Sequence, residues 1–210
     1  MRTLFEILKS HSKLLLGMGV RKSYSQFGED IFVWHLLHKK KGVYVDVGAY
    51  HPILYSNTYS FYKRGWRGVV IDPNTLCAEL FRWFRPEDTF INAAVGAKSG
   101  EGVYYQYSDG AYNSLNPTLH GNKNIKLLKK TPVPIKPLSE LLREVEHIDF
   151  MNIDAEGMDT EVLKSHNWAV KPTVVAVEGD LGGETHEFLL DKGYVLKAVV
   201  GMTMIFESRL

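Results

Sequence analysis

The sequence predicts an α/β fold: a mostly parallel sheet with helices on both faces, closed by a C-terminal antiparallel hairpin. Three observations carry this. Val43-Tyr44-Val45-Asp46 is a short β-branched and aromatic run bounded by Gly42 and Gly48, which reads as a strand buried in a parallel sheet. A second run of the same kind, Val69-Val70-Ile71, also ends in an acid, Asp72. Two runs near the C-terminus, Tyr194 to Val200 and Met202 to Glu207, are joined through Gly201, and so short a connection requires antiparallel pairing.

The elements follow in order. Ser25 to Gly28 can cap a helix carrying Ile31, Trp34 and Leu37, with Glu29 and Asp30 favouring its positive first turn. The first strand ends in Asp46-Val47-Gly48-Ala49, and His51-Pro52 follows. Ser56 or Asn57 can cap a helix from Thr58 to Arg64. The second strand runs Gly68 to Ile71. A helix from Thr75 stops at Arg85, before Pro86, and a third strand spans Thr89 to Val95. Gly102 to Tyr107 suits an added strand outside the crossover pattern. Ser108 to Asn124 is a long polar loop, a length that marks substrate-facing or mobile segments. Pro132, Pro134 and Pro137 mark a bent extended stretch leading into a helix, Leu138 to Glu144. The fourth strand, Ile148 to Ile153, ends in Asp154-Ala155-Glu156-Gly157, and Asp159 can cap the next helix. The fifth strand, Thr173 to Val177, ends in Glu178, and a helix from Glu184 to Asp191 precedes the hairpin. Five strands in crossover order with a terminal hairpin form the pattern of a Rossmann-like class I methyltransferase sheet.

The chain has 210 residues, 45% hydrophobic and 23% charged, with a net charge of +1, the profile of an ordinary globular domain. No global basic field points to nucleic acid. Lys39-Lys40-Lys41 and Lys123, Lys126, Lys129 and Lys130 read as a solvated helix end and a solvated loop. The one cysteine, Cys77, excludes an intramolecular disulfide and is consistent with a reducing, cytoplasmic setting. Residues 1–22 read as an amphipathic helical extension to a domain at 23–210. Its apolar run from Leu14 to Val20 is too short to span a bilayer, and contact of residues 1–20 with a membrane surface is the minor alternative.

The acids at strand ends say which ligand the crevice suits. In open α/β sheets, ligands bind beyond the carboxyl ends of the strands. The turn after the first strand has one glycine and lacks the G-x-G-x-x-G spacing used for pyrophosphate. A nucleoside ligand without phosphates needs fewer glycines, and S-adenosylmethionine (SAM) is one. Gly48, with Ala49, lets the backbone approach its amino acid end, and Asp46 can accept from its ammonium directly or through water. Asp72, about 20 residues after the first turn and with Asn74 beside it, suits the ribose hydroxyls. Asn92 and Ala93 leave room for adenine and offer an amide to its amino group. The same residues also serve as strand-end caps and turns in a fold without this ligand.

Ser25-Gln26-Phe27-Gly28-Glu29-Asp30, Tyr44 to Ala49, Ser56-Asn57-Thr58, Gly65-Trp66-Arg67-Gly68 and Ile153 to Gly157 together resemble the FkbM-type SAM-dependent methyltransferases, over roughly residues 23 to 180. The resemblance implies SAM as donor and O-methylation, commonly of sugars in polysaccharides or glycosylated natural products. It makes Asp46 and Gly48 the first cofactor motif, Asp72 the ribose acid, Asn92 and Ala93 the adenine flank, and Asp154, Glu156 and Gly157 a D-x-E-G turn. Gln26 then falls near the cofactor.

A hydroxyl acceptor needs its proton removed. His51, Asp154 and Glu156 are the candidate bases. Alternatively Asp154, Glu178 and Asp180 can ligate Mg²⁺ through oxygens. Tyr50, Tyr55, Trp66 and the Tyr104-Tyr105-Tyr107 cluster offer aromatic faces to a sugar, although most of them suit the core. The expected partners are SAM and a sugar-containing acceptor. A homo-oligomer is compatible with the sequence, and nucleic acid is not expected. The competing readings are an N-methyltransferase of small molecules or peptides, a nucleotide-cofactor oxidoreductase, and a non-catalytic SAM-binding protein.

Overall fold

The computed structural model describes residues 22–117 and 124–209. Of the expected N-terminal helical extension at 1–22, residues 1–21 lie outside the described residues, as does the 118–123 part of the polar loop.

The main sheet contains β1 (Val43–Val47), β2 (Arg67–Ile71), β3 (Thr89–Ile91), β7 (Phe150–Ile153), β8 (Val174–Glu178), β9 (Tyr194–Val200) and β10 (Thr203–Ser208). Their spatial order is β3-β2-β1-β7-β8-β10-β9. The first five are mutually parallel, and β10 runs antiparallel to both β8 and β9. The terminal hairpin forms as expected, and its second strand inserts between β8 and the first. Strand order reverses between β1 and β7, where Asp46 lies opposite Asn152 and Val47 opposite Ile153.

Successive side chains on the central strands point to opposite faces, and each face carries its own core. Val45, Val47, Met151, Ile153, Val175 and Val177 pack with α4 (Leu138–Leu141), α5 (Asp159–Ser165) and α6 (Glu184–Asp191). Tyr44, Phe150, Val174 and Ala176 pack with α1 (Glu29–Leu37), α2 (Tyr59–Tyr62) and α3 (Thr75–Phe84). Helices therefore cover both faces. Cys77 is buried on α3, whose first turn is capped by Asn74 Oδ1 accepting from the Leu76 N–H at 3.0 Å.

A second sheet departs from the sequence expectation. The stretch from Thr89 to Val95 is not one strand. It divides into β3 and β4 (Ala94–Val95), and β4 joins β6 (Leu127–Lys136) and β5 (Gly100–Tyr107) in a three-stranded sheet. Its small core is Ala94, Tyr104 and Val133. β6 is the middle strand, and Pro132 and Pro134 face β5 just before Ile135 and Lys136, where β4 pairs, so the donors they lack fall outside the β4 pairing. Lys129 and Lys130 thus lie on a strand rather than in a loop, and Lys39 pairs with Asp149. Among the described residues, no helix is long and apolar enough to cross a membrane.

Candidate active site

A cavity of about 560 Å³ opens at the carboxyl ends of β1 and β7, the point where strand order reverses and open sheets bind ligands. Gly48 sits there with φ +76°, and a Cβ on it would meet the Asp154 main-chain oxygen. Glycine is thus required by the close approach of two strand ends, in addition to any room it leaves for a ligand.

Seven acids line the cavity: Glu29, Asp46, Asp72, Asp109, Asp154, Glu156 and Glu178. Among the described residues no Lys, Arg or His lines it. The acids sit in different environments. Asp72 accepts the N–H groups of Tyr50 (3.0 Å) and Asn74 (2.7 Å), yet burial pushes its carboxyl up to about 6. Glu156 is pushed up to about 7 by burial and then by Glu178, Asp159 and Asp109. Burial, then the Glu178 and Glu156 charges, holds Asp154 well above the usual carboxylate range. Glu178 is also raised, first by burial.

Asp46 is 1% exposed and belongs to a buried polar chain. It accepts from Thr58 Oγ1 and, at 2.9 Å, from Asn152 Nδ2. Thr58 Oγ1 accepts in turn from Arg85 Nη1 at 3.0 Å. The Arg85 Nε bonds Asp88 at 2.7 Å and its Nη2 donates to the Tyr44 hydroxyl at 2.8 Å. Burial raises Asp46, opposed mainly by Arg85.

Strain gathers at this site. Five non-glycine residues among those described have positive φ, and three of them, Tyr50 (53°), Tyr55 (56°) and Glu156 (48°), line the cavity. Such backbone costs about 1–3 kcal/mol per residue and persists where the surroundings over-determine it, as they do at functional sites.

The sequence-predicted residues divide. Gln26, Asp46, Gly48, Ala49, Asp72, Asn74, Ala93, Asp154, Glu156 and Glu178 come together around the cavity. His51 does not line it. Its Nδ1 accepts from the N–H groups of Ile53 (3.1 Å) and Leu54 (3.0 Å), so the neutral ring carries its proton on Nε2 and has no lone pair left for a base. Asn92 also stays outside the lining and donates to the Asp72 carbonyl at 2.9 Å. Asp180 is exposed and does not line the cavity. Among the described residues no group of three or more His, Cys, Asp or Glu is placed to hold a metal ion, so Asp154, Glu178 and Asp180 do not form the expected Mg²⁺ site.

Other roles shifted as well. Asp159 does not cap α5; its carboxylate accepts from the Ala155 and Gly157 N–H groups and closes the turn before the helix. Neither Ser56 nor Asn57 is the N-cap of α2, which is Thr58; Ser56 Oγ accepts from the Tyr59 N–H at 3.1 Å from the turn before it. The described part of the 108–124 loop forms a wall of the cavity through Asp109, Tyr112, Asn113 and Ser114, and Ser114 Oγ donates to the Glu156 carbonyl at 3.1 Å. Sequence reasoning missed Arg85, Asp88 and Asn152 as parts of the site. The sequence carried no signal for them: Arg85, at the C-cap of α3, reads like exposed Arg82 until its burial is seen.

The open sheet with one reversed strand, and a cavity at its switch point walled by strand-end acids, define a Rossmann-like class I methyltransferase domain. The family model described as the methyltransferase FkbM domain matches residues 46–196. The chain belongs to the FkbM methyltransferase family. Among solved structures it is similar to an FkbM methyltransferase from Methylobacillus flagellatus KT, with 14% identity and a TM-score of 0.50 over 80% of this chain. It spans 44% of that protein's length. It is also similar to a TehB-like SAM-dependent methyltransferase from Corynebacterium glutamicum (10% identity, all of both chains, TM-score 0.45). A third match is the 1,6-didemethyltoxoflavin-N1-methyltransferase of Burkholderia thailandensis, solved with 1,6-didemethyltoxoflavin and S-adenosylhomocysteine (12% identity, all of this chain and 90% of that one, TM-score 0.46). No curated protein sequence matches the chain.

Proposed function

We propose that this protein is a SAM-dependent O-methyltransferase acting on a hydroxyl of a neutral saccharide or glycoconjugate. The observation that carries the proposal is the charge of the cavity: seven acids and no cation among its described lining residues. A wall of this kind suits a ligand bearing a sulfonium and an ammonium. It repels the pyrophosphate of a dinucleotide, which argues against the oxidoreductase reading.

The residues present fit SAM. Asp72 would hold the ribose hydroxyls, Ala93 and Ala94 would wall the adenine, and Gln26, Asn74 and the Asp46-to-Ala49 turn would border the rest. SAM supplies a methyl group already activated on sulfur. The chain then has to align an acceptor and take its proton. Glu156 is the best-placed base: it lines the cavity, and with a carboxyl near 7 it is both available and basic enough at neutral pH. Phe27 (54% exposed), Tyr50 (39%), Tyr55 (65%) and Tyr112 (37%) stand at the cavity and offer rings against which a sugar face can stack. The acids on the same side disfavour uronates and phosphorylated sugars.

The test is calorimetric titration with SAM and with NAD⁺, beside an Asp72→Ala variant, followed by mass spectrometry of products with neutral, uronate and amino sugars. SAM binding lost in the variant, no NAD⁺ binding, and methyl transfer to neutral sugars are expected. Failure of the wild type to bind SAM would overturn the proposal. Transfer only to the nitrogen of amino sugars would favour the N-methyltransferase reading, which the acid wall also suits.

A further inference from the structure

The buried chain that begins at Arg85 ends at the cavity, and its end has a defined polarity. Asp46 is an acceptor toward both of its side-chain partners, so the Asn152 side chain must turn its NH₂ to Asp46. The Asn152 Oδ1 then faces Asn57 and accepts from its Nδ2 at 2.9 Å. This fixes the Asn57 amide, leaving its Oδ1 as the terminal acceptor of the chain. That Oδ1 is enclosed and has no hydrogen-bond partner, and the same is true of Asp154 Oδ1. Both residues line the same cavity. Two enclosed acceptors without donors are costly in a folded protein and call for a specific explanation.

We infer that Asn57, oriented by Asn152, is a ligand-binding residue whose Oδ1 together with Asp154 Oδ1 receives the ammonium group of the cofactor. This rests on the proposed SAM function and adds to it a binding residue and a positioning residue. An ammonium offers three N–H donors and no acceptor, which matches a seat made only of acceptors. Asp46 thereby becomes the internal anchor of the seat: its own oxygens already accept from Thr58 and Asn152, and it acts on the ligand through the Asn152–Asn57 pair. The Arg85–Asp88 ion pair, enclosed at 0% side-chain exposure for both partners, holds the far end. A cavity that merely tolerated adenosine would not need an amide whose direction is set over four hydrogen-bonded residues.

The test compares two ligands that differ only in the amino group: S-adenosylhomocysteine and its deamino analogue, S-adenosyl-4-thiobutyrate. Their affinities are measured by calorimetry for the wild type and Asn57→Ala. Loss of one charge-assisted hydrogen bond should weaken S-adenosylhomocysteine by roughly tenfold or more, with the deamino analogue changing by less than about twofold. If Asn57→Ala is too unstable to purify, Asn57→Ser serves, since its short side chain cannot reach from Asn152 into the cavity, and the same selective loss is expected. Equal weakening of both ligands would make Asn57 a structural residue, or the partner of an enclosed water, and would overturn the seat. No change in either overturns it too. Wild type that binds neither ligand overturns the SAM reading itself, and the seat with it.

Discussion

A Cβ on Gly48 would lie 1.7 Å from the main-chain oxygen of Asp154. The turn after β1 and the turn after β7 therefore touch backbone to backbone, and their separation fixes the floor of the cavity. Gly48→Ala adds both this clash and the strain of a side chain at φ +76°. Loss of more than about 3 kcal/mol of stability is expected, read by urea denaturation. A variant as stable as wild type would show that the two turns can part.

Arg85 and Asp88 are the second load on the fold. Removing the cation leaves Asp88 enclosed and uncompensated, and strips partners from Tyr44 and Thr58. Arg85→Ala should lose about 3–5 kcal/mol. The Arg85→Ala, Asp88→Ala double variant should lose less than the sum of the singles, since each residue is costly chiefly without the other. Additive losses in denaturation would contradict this.

Glu156→Gln should lower the turnover rate at saturating SAM by about 10²–10⁴-fold, the usual contribution of a general base. The base works deprotonated, so the wild-type rate should rise with pH and level off above about 7, where the Glu156 carboxyl titrates. The variant should lack that limb. A pH–rate profile with the limb intact in Glu156→Gln would reassign the base.

The same raised carboxyl affects stability in the opposite sense. Glu156 titrates at about 7 in the fold against an ordinary 4.5. Its favourable contribution is therefore complete below the unfolded value and is lost as pH rises through about 7. In the absence of ligand, Glu156→Gln should melt roughly 2–4 °C above wild type at pH 8 and show no advantage near pH 4. Thermal melts at the two pH values check this.

Binding of a cation should draw protons out of the site. Burial and mutual repulsion keep Asp154, Glu156 and Glu178 above their ordinary values, and a positive ligand favours their ionised forms. SAM affinity should fall as pH drops from 8 to 5.5, by up to about tenfold per pH unit for each proton released. Calorimetry in two buffers of different ionisation enthalpy should show net proton release. Affinity independent of pH would mean that the acids are already ionised.

Much of the fold was legible in the sequence because its signals are local. The apolar runs Val43 to Val47 and Val174 to Val177, each ending near an acid, mark buried parallel strands, and Gly201 between two strand patterns marks the hairpin. The acids at the ends of β1, β2, β7 and β8 converge because parallel strands end on the same side of a sheet. The break between Ile91 and Ala94 was not legible, since the residues joining β3 and β4, Asn92 and Ala93, include no Gly or Pro to mark it. Only pairing with Ile135 and Lys136 draws Ala94 and Val95 into the second sheet.

By itself, the sequence determined that this protein has a Rossmann-like sheet with a reversed terminal strand and a crevice rimmed by acids. Periodicity, strand-end glycines and the D-x-E-G turn are short-range features that survive without coordinates. Tertiary structure alone decided which of those residues act together. It turned His51 Nδ1 onto its own loop, left Asp180 in solvent, and placed Arg85 at the root of a hydrogen-bonded chain ending at Asn57. The physical reason is that burial and hydrogen-bond direction depend on partners far apart in the chain, such as Asp46 with Asn152 and Tyr44 with Arg85, and no local pattern encodes which donor meets which acceptor.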